Sequence, residues 1–407
     1  MQQNSRASLP IVLGLMTAIG LFAIDMYLPS LPEIGAGLNA DSGAVQASLV
    51  SFFVAMALSQ LVYGPVSDMI GRKKPLYFGL TLFAVGGIGC ALSPSIEWLI
   101  GFRALQGVGA CAGTVLCRAI VRDLFTGVAA AQLMSRLMLV FSVSPILAPL
   151  AGSMVTTVGS WRAIFGVMVV AAALGVVLAA LLLPETRTAE ARSQSSLVGA
   201  LKSYRTLLRD PYYLGLVLIA SFGMSSYMIY VANSSFVLIE HYGLTPGFYS
   251  VVFSLNAISF IGASQMNGRL SRRFGLRRLI RFAVGGFALA ATALFVLFEL
   301  GLGSLPLMSA LLFVSYGFLG MVIPTSAVLA LEGHGRIAGT ASALMGTLQF
   351  VTASSVIGIA SLFFDGTALP MIGTIAACAI AVLFIAIMTL RPETTGAFST
   401  EPADERA

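Results

Sequence analysis

Apolar residues run along this chain in blocks too long for the core of a water-soluble protein. Blocks bounded by charges or by Gly, Pro and Asn clusters fall at 9–30, 44–67, 75–93, 97–117, 130–156, 162–183, 211–239, 247–267, 279–300, 304–329, 338–364 and 368–390. Each matches the roughly 20 residues that an α-helix needs to cross the hydrocarbon core of a bilayer. Lipid offers the backbone no hydrogen bonds, so such segments must be helical. The pattern predicts an all-α integral membrane protein of twelve transmembrane helices. The first block runs well past the apolar region of a secretory signal and no small-residue cleavage pattern follows it, so it is expected to stay as the first span.

Composition agrees. With 57% hydrophobic and 10% charged residues, and a mean hydropathy of +0.93, the chain has too little polar surface to cover a soluble globule. The pI of about 9.3 reflects topology, not a nucleic-acid partner. With a cytoplasmic N-terminus, 21 of the 23 basic residues fall inside, among them Arg6, Arg72, Lys73, Lys74, Arg118, Arg122, Arg136, five between 187 and 209, six between Arg269 and Arg281, Arg336, Arg391 and Arg406. Arg103 lies within a span and Arg162 at the outer edge, while the outer loops carry Glu33, Asp41, Glu97, Glu240, Glu299 and Asp365. This asymmetry predicts both termini in the cytoplasm. Trp98 and Trp161 fall at the outer boundaries, where an indole favours the headgroup region. Cys90, Cys111, Cys117 and Cys378 lie in or beside apolar runs without CxxC spacing or histidine neighbours, and are read as reduced packing residues rather than metal ligands or disulfides.

The longest internal polar stretch, 185–210, separates six spans from six. The expected organisation is a first half at 1–184, a cytoplasmic linker at 185–210, a second half at 211–391 and a cytoplasmic tail at 392–407. Within the linker, Leu197 to Leu208 suits an amphipathic helix on the membrane surface, and a flexible tether serves the composition equally well. Duplication is visible in Gly64-Pro-Val-Ser-Asp-Met-Ile-Gly71-Arg-Lys-Lys, echoed after span eight by Gly268-Arg-Leu-Ser-Arg-Arg-Phe-Gly275-Leu-Arg-Arg. Parallel six-helix halves suit a transporter whose central site is exposed to each side in turn.

Four motifs carry a resemblance. Gly64, Asp68, Gly71, Arg72 and Lys73 resemble the loop motif of the major facilitator superfamily, with Met69 where an arginine is usual. Arg103, Gln106, Gly107 and Gly109 resemble its span-four arginine motif, and Ala148-Pro149-Leu-Ala-Gly152-Ser153 resembles the antiporter motif with two glycines replaced. Asp25-Met-Tyr27-Leu-Pro29-Ser-Leu-Pro32 is similar to the drug:proton antiporter group, and most to its bicyclomycin/chloramphenicol-resistance branch. The resemblance implies the major facilitator fold in a bacterial inner (plasma) membrane. It also implies export of small amphipathic drugs or toxic compounds by a monomer that uses the proton gradient and no cofactor. Export or import of a specific metabolite such as an amino acid is the alternative.

Asp25 is the leading candidate for proton coupling or substrate binding, because a carboxyl after sixteen residues of apolar helix is costly unless neutral, paired or facing water. The competing reading puts it at the outer rim, with Pro29 and Pro32 ending the span. Arg103 cannot be neutralised, so it must find acceptors. The resemblance implies that it modulates a nearby carboxylate, and the alternative is a clamp on backbone carbonyls and Gln106. The resemblance also assigns conformational switching to Gly64, Asp68, Gly71, Arg72 and Lys73, with Arg122 and Asp123 able to join them, against simple anchoring by the basic residues. Pro145 and Pro149 should bend span five, with Gly152 allowing close approach, as a hinge or seal or as a packing notch. Tyr27, Tyr230, Asn233, Asn256 and Gln349 are candidates for the substrate cavity, and helix bridging is the other use of such residues. The chain has no Gly-Lys-Ser/Thr phosphate loop, GxSxG or HExxH, and its two histidines, His241 and His334, stand at loop positions, so an enzyme is not expected.

Overall fold

The computed structural model describes residues 2–125, 127–187, 190 and 197–390. The tail at 392–407, with Arg391 and Arg406, and Ser193, Gln194 and Ser195 of the linker lie outside the described residues. The helices are α1 (Gln2–Asp25), α2 (Leu31–Leu38), α3 (Ser42–Ile70), α4 (Lys73–Ala91), α5 (Ile96–Leu124), α6 (Gly127–Val158), α7 (Trp161–Leu182), α8 (Leu197–Leu207), α9 (Pro211–Ser235), α10 (Pro246–Phe274), α11 (Leu276–Glu299), α12 (Leu305–Glu332), α13 (Ala338–Ser361) and α14 (Leu369–Thr389). Eleven segments are long and apolar enough to cross a membrane, and α6 contributes a shorter apolar stretch, Ser142–Val158, in the remaining position.

Short polar residues start several of these helices. Asp41, Asp210, Thr245 and Ser304 each accept a hydrogen bond from the first-turn backbone of α3, α9, α10 and α12, satisfying donors that a helix cannot satisfy itself. The repeated glycines end two of these helices. Gly71 (φ +96°) and Gly275 (φ +79°) close α3 and α10 in a region that a Cβ would penalise, which explains why both copies of the loop keep a glycine there.

The first span differs from its expected end. It runs as one segment from Leu9 to Leu38, through a 3-10 turn at Leu28–Ser30 and into α2. Pro29 and Pro32 are the second residues of those two elements, within the first turn where a missing N–H costs nothing, so they restart the helix instead of ending it. Asp25 therefore lies inside a 30-residue span, and the reading that set it at the rim is corrected. Trp161 also departs from expectation. It is only 2% exposed, its Nε1 packs against Gly37, and its backbone N–H donates to Glu33.

In the first half, α5 packs on α3 and α4, α4 on α7, and α1 on α5, α6 and α7. In the second, α9 packs on α12, α13 and α14, α12 on α10 and α11, and α11 on α14. The halves meet along two pairs, α3 with α13 and α6 with α10. On the first seam Phe53 stacks on Phe350 at 5.6 Å and Thr347 donates to the Ala57 carbonyl at 3.0 Å. On the second, Ser250 and Ser254 donate to the carbonyls of Pro149 and Ile146 at 3.0 and 3.1 Å. Helix α8 lies against α3 and α13, with the Tyr204 hydroxyl donating to the Leu61 carbonyl.

Candidate functional site between the halves

The end of α1 brings Asp25 to the boundary between the halves. Its side chain is buried, it has no ion pair or hydrogen bond among the described residues, and the hydroxyls of Tyr227 and Tyr249, from the opposite half, stand within electrostatic reach. A buried carboxylate without a cation is expensive, so this position suits a group that alternates between carrying a proton and meeting water or a cationic ligand. Next to it, a Cβ on Gly152 would overlap the Met26 carbonyl oxygen. Only a glycine lets α6 approach the end of α1 so closely.

Arg103 is fully buried one layer behind Asp25. Its Nη1 donates to the Ala23 carbonyl at 3.1 Å and to Gln106 Oε1 at 2.7 Å, while its guanidinium lies over the rings of Tyr27 and Phe52 at 4.6 and 4.3 Å. Nε and Nη2 have no hydrogen-bond partner among the described residues. The arginine thus holds α1 through a carbonyl two residues before Asp25, in the arrangement of the clamp. Tyr27 belongs to the same cluster, with its hydroxyl bonded to Ser48 at 2.8 Å and no exposed surface, so it faces the interior of the first half rather than the space between halves.

The second half contributes a group of rings and amides. Tyr230 stacks on Phe253 at 5.4 Å and meets Tyr316, which also contacts Tyr227. Asn256 donates to the Tyr230 hydroxyl at 2.9 Å. One turn along α9, Asn233 accepts from Gln46 Nε2 of α3 at 3.0 Å. Gln46 Oε1 and Asn256 Oδ1 remain without hydrogen-bond partners among the described residues. Tyr230 and Asn256 are therefore joined directly, with Asn233 one turn along the helix of Tyr230. Gln349 is partly buried on α13, beside Phe350 of the other seam. Gln46 was not singled out in the sequence, where one amide near the start of an apolar run carries no distinguishing signal.

At the basic end, Arg72 gathers the repeat loop. It pairs with Asp68 and Asp123, each at 2.7 Å, and donates to Ser67 Oγ. Burial works against its charge, but the Asp123 and Asp68 carboxylates outweigh that and hold its pKa above the ordinary arginine value. Glu185 completes the cluster from the linker side, accepting the backbone N–H groups of Arg72 and Lys73 at 2.9 and 3.2 Å, where the start of α4 favours negative charge. Lys73 thus takes part through its backbone, with its ammonium near the Tyr77 ring. Gly64 leaves open space around it. Arg122 stays apart and packs on Gly339 of α13. The role of Glu185 was hidden in the sequence by the 112 residues that separate it from Lys73.

Residues 13–358 match the family described as the Major Facilitator Superfamily. The chain is 38% identical over 370 residues to YdgK of Bacillus subtilis (strain 168), an MFS-type transporter, with 90% of this chain and 92% of that one covered. It is 32% identical over 396 residues to a bicyclomycin resistance protein homolog of Haemophilus influenzae, covering 96% and 98%. Among solved structures, a D-xylose-proton symporter superposes with a TM-score of 0.73 over 96% of this chain and 99% of that one. At 15% identity that likeness is one of fold.

Proposed function

The chain belongs to the major facilitator superfamily, and from that premise we propose that it exports small amphipathic compounds across the bacterial inner membrane in exchange for protons. The observation that supports this most is Asp25, buried inside the first span with no cation partner among the described residues. The relative named for bicyclomycin resistance favours antibiotic-like cargo, as do the ring-rich walls around Tyr227 and Tyr230. Both termini are assigned to the cytoplasm from the basic end gathered around Arg72.

In this reading Asp25 takes a proton while the halves are parted outside, and the neutral acid can then be enclosed. Once the inner side opens, the proton leaves to the cytoplasm and substrate occupies the site. Rocking outward breaks the Gln46–Asn233 and Ser250–Pro149 contacts, while the Arg72–Asp123 pair, within the first half, shapes the loop at the opposite end. The gradient supplies roughly 2.3 kcal/mol per charge per 100 mV, plus about 1.4 per pH unit. The boundaries at 184 and 210 are assigned as the ends of the moving halves.

The test is proton movement in inside-out vesicles across cationic, neutral and anionic compounds, comparing wild type with Asp25→Asn. A compound that dissipates the pH gradient with wild type and not with the variant supports exchange through Asp25. Detectable binding without proton movement for any compound sinks it and favours a metabolite uniporter or importer.

A further inference from the structure

The two copies of the repeated loop carry opposite charge at the same place. Aligned on their glycines, Asp68 falls opposite Arg272, and Arg72 opposite Leu276. The first copy neutralises its arginine within the protein, through Asp68 and Asp123. In the second, Arg269, Arg272, Arg273 and Arg278 are exposed and make no hydrogen bond or ion pair with a described residue. The exposed Glu332 at the end of α12 does not pair with them. Arg281 is engaged by the Leu390 carbonyl, and Arg277 has a partner of its own.

These free cations stand at the ends of lipid-facing stripes. On α10, Val251, Leu255, Ile258 and Met266 are exposed, and Arg269 and Arg273 continue the stripe in steps of three and four residues. On α11, Phe282, Leu289 and Val296 are 66%, 73% and 45% exposed, and Arg278 lies four residues before Phe282. Large apolar residues exposed along spans meet acyl chains, so the arginines that extend both stripes stand at headgroup depth. Between them Phe274 is half exposed, with the Arg273 guanidinium 5.3 Å from its ring.

We propose that the α10–α11 junction binds the phosphate headgroup of an anionic phospholipid, with Arg269, Arg273 and Arg278 as its ligands and Phe274 and Phe282 against its acyl chains. Guanidinium matches phosphate geometry in two-pronged contacts, and the lipid supplies from outside the counter-charge that the first half supplies to itself. The inference rests on α10 and α11 being spans, and it stands whatever the substrate or the direction of transport.

The probe is phosphatidylglycerol with brominated acyl chains, presented to the full chain in phosphatidylcholine nanodiscs, with a tryptophan in place of Phe282 (Phe282→Trp) as reporter. Trp98 and Trp161 sit at the opposite end of the bundle and contribute a constant background. The expected result is quenching that exceeds the bulk phosphatidylglycerol fraction several-fold. Affinity should fall roughly fivefold for each arginine changed to glutamine at 269, 273 and 278, and the three Arg→Lys changes, which keep the charge but lose the two-pronged contact, should fall between wild type and the glutamine set. Changing Lys202, Arg205 and Arg209 to glutamine removes the same charge beside α3 and α13, and should leave the signal in place. Quenching at the bulk ratio, or equal loss in the two glutamine sets, overturns the site. Displacement of the lipid by millimolar inorganic phosphate overturns the lipid assignment in favour of a soluble anion.

Discussion

Gln46 and Asn233 are 187 positions apart in the chain and joined by a 3.0 Å hydrogen bond from the third helix of the first half to the first long helix of the second. Both are buried, so the bond is unshared with water. It ties the two halves together, and the alternating-access reading requires it to break once per cycle.

Replacing either amide with alanine should therefore favour the outward-open arrangement. A net hydrogen bond is worth about 0.5–1.5 kcal/mol, which predicts a shift of roughly two- to tenfold in the population ratio. Spin-label distances across that end of the bundle, between α2 and the loop after α9, would report it. An unchanged distribution in both variants removes the bond from the switching equilibrium.

Gly152→Ala should be severe for its size. The added methyl would overlap the Met26 carbonyl, forcing α6 away from the end of α1 at a cost of about 1–3 kcal/mol. Reconstituted protein should lose transport and melt earlier, whereas alanine at Gly64, where nothing lies within 4 Å, should leave the melting temperature nearly unchanged.

Arg103→Lys keeps the charge but not the planar guanidinium, whose Nη1 bonds both Ala23 and Gln106 while the group lies over two rings. Transport should fall at least tenfold with expression maintained, since an ammonium forfeits the flat stacking between Tyr27 and Phe52. Near wild-type transport by the lysine variant would mean that charge alone matters there.

Asp123→Asn leaves the Arg72 side chain, 4% exposed, with one carboxylate fewer in a buried pair. Asp68 still compensates the guanidinium at 2.7 Å, so the loss is that of one charged hydrogen bond, about 1.5–3 kcal/mol. Glu185→Gln, which removes charge from the start of α4, should cost less, about 1 kcal/mol. Thermal denaturation in detergent would rank the two, and the opposite order would contradict the roles assigned to them.

The helical map was legible from the chain because lipid imposes one rule on every span: roughly twenty apolar residues, backbone bonds closed within the segment, and basic residues collected at one end. The repeat was legible too, since Gly71 and Gly275 answer a local demand for positive φ. Asp25 and Arg103 stood out because a charged residue inside an apolar run is visible without knowing what lies beside it.

Partners belong to the tertiary structure. Nothing local tells whether Pro29 and Pro32 end a helix or restart one, because the continuing turn is stabilised by α6 and by the first helix of the second half. Nothing local distinguishes Tyr27, turned inward to Ser48, from Tyr230, facing Asn256. Gln46 with Asn233, Glu185 with the start of α4, and Arg103 with a carbonyl of α1 all join residues eighty or more apart. Composition and periodicity determine which segments enter the membrane, because each residue's transfer into lipid is settled by its own segment. Which polar groups meet there is decided only when the halves pack, because a buried polar atom takes whichever partner the packing brings within 3 Å.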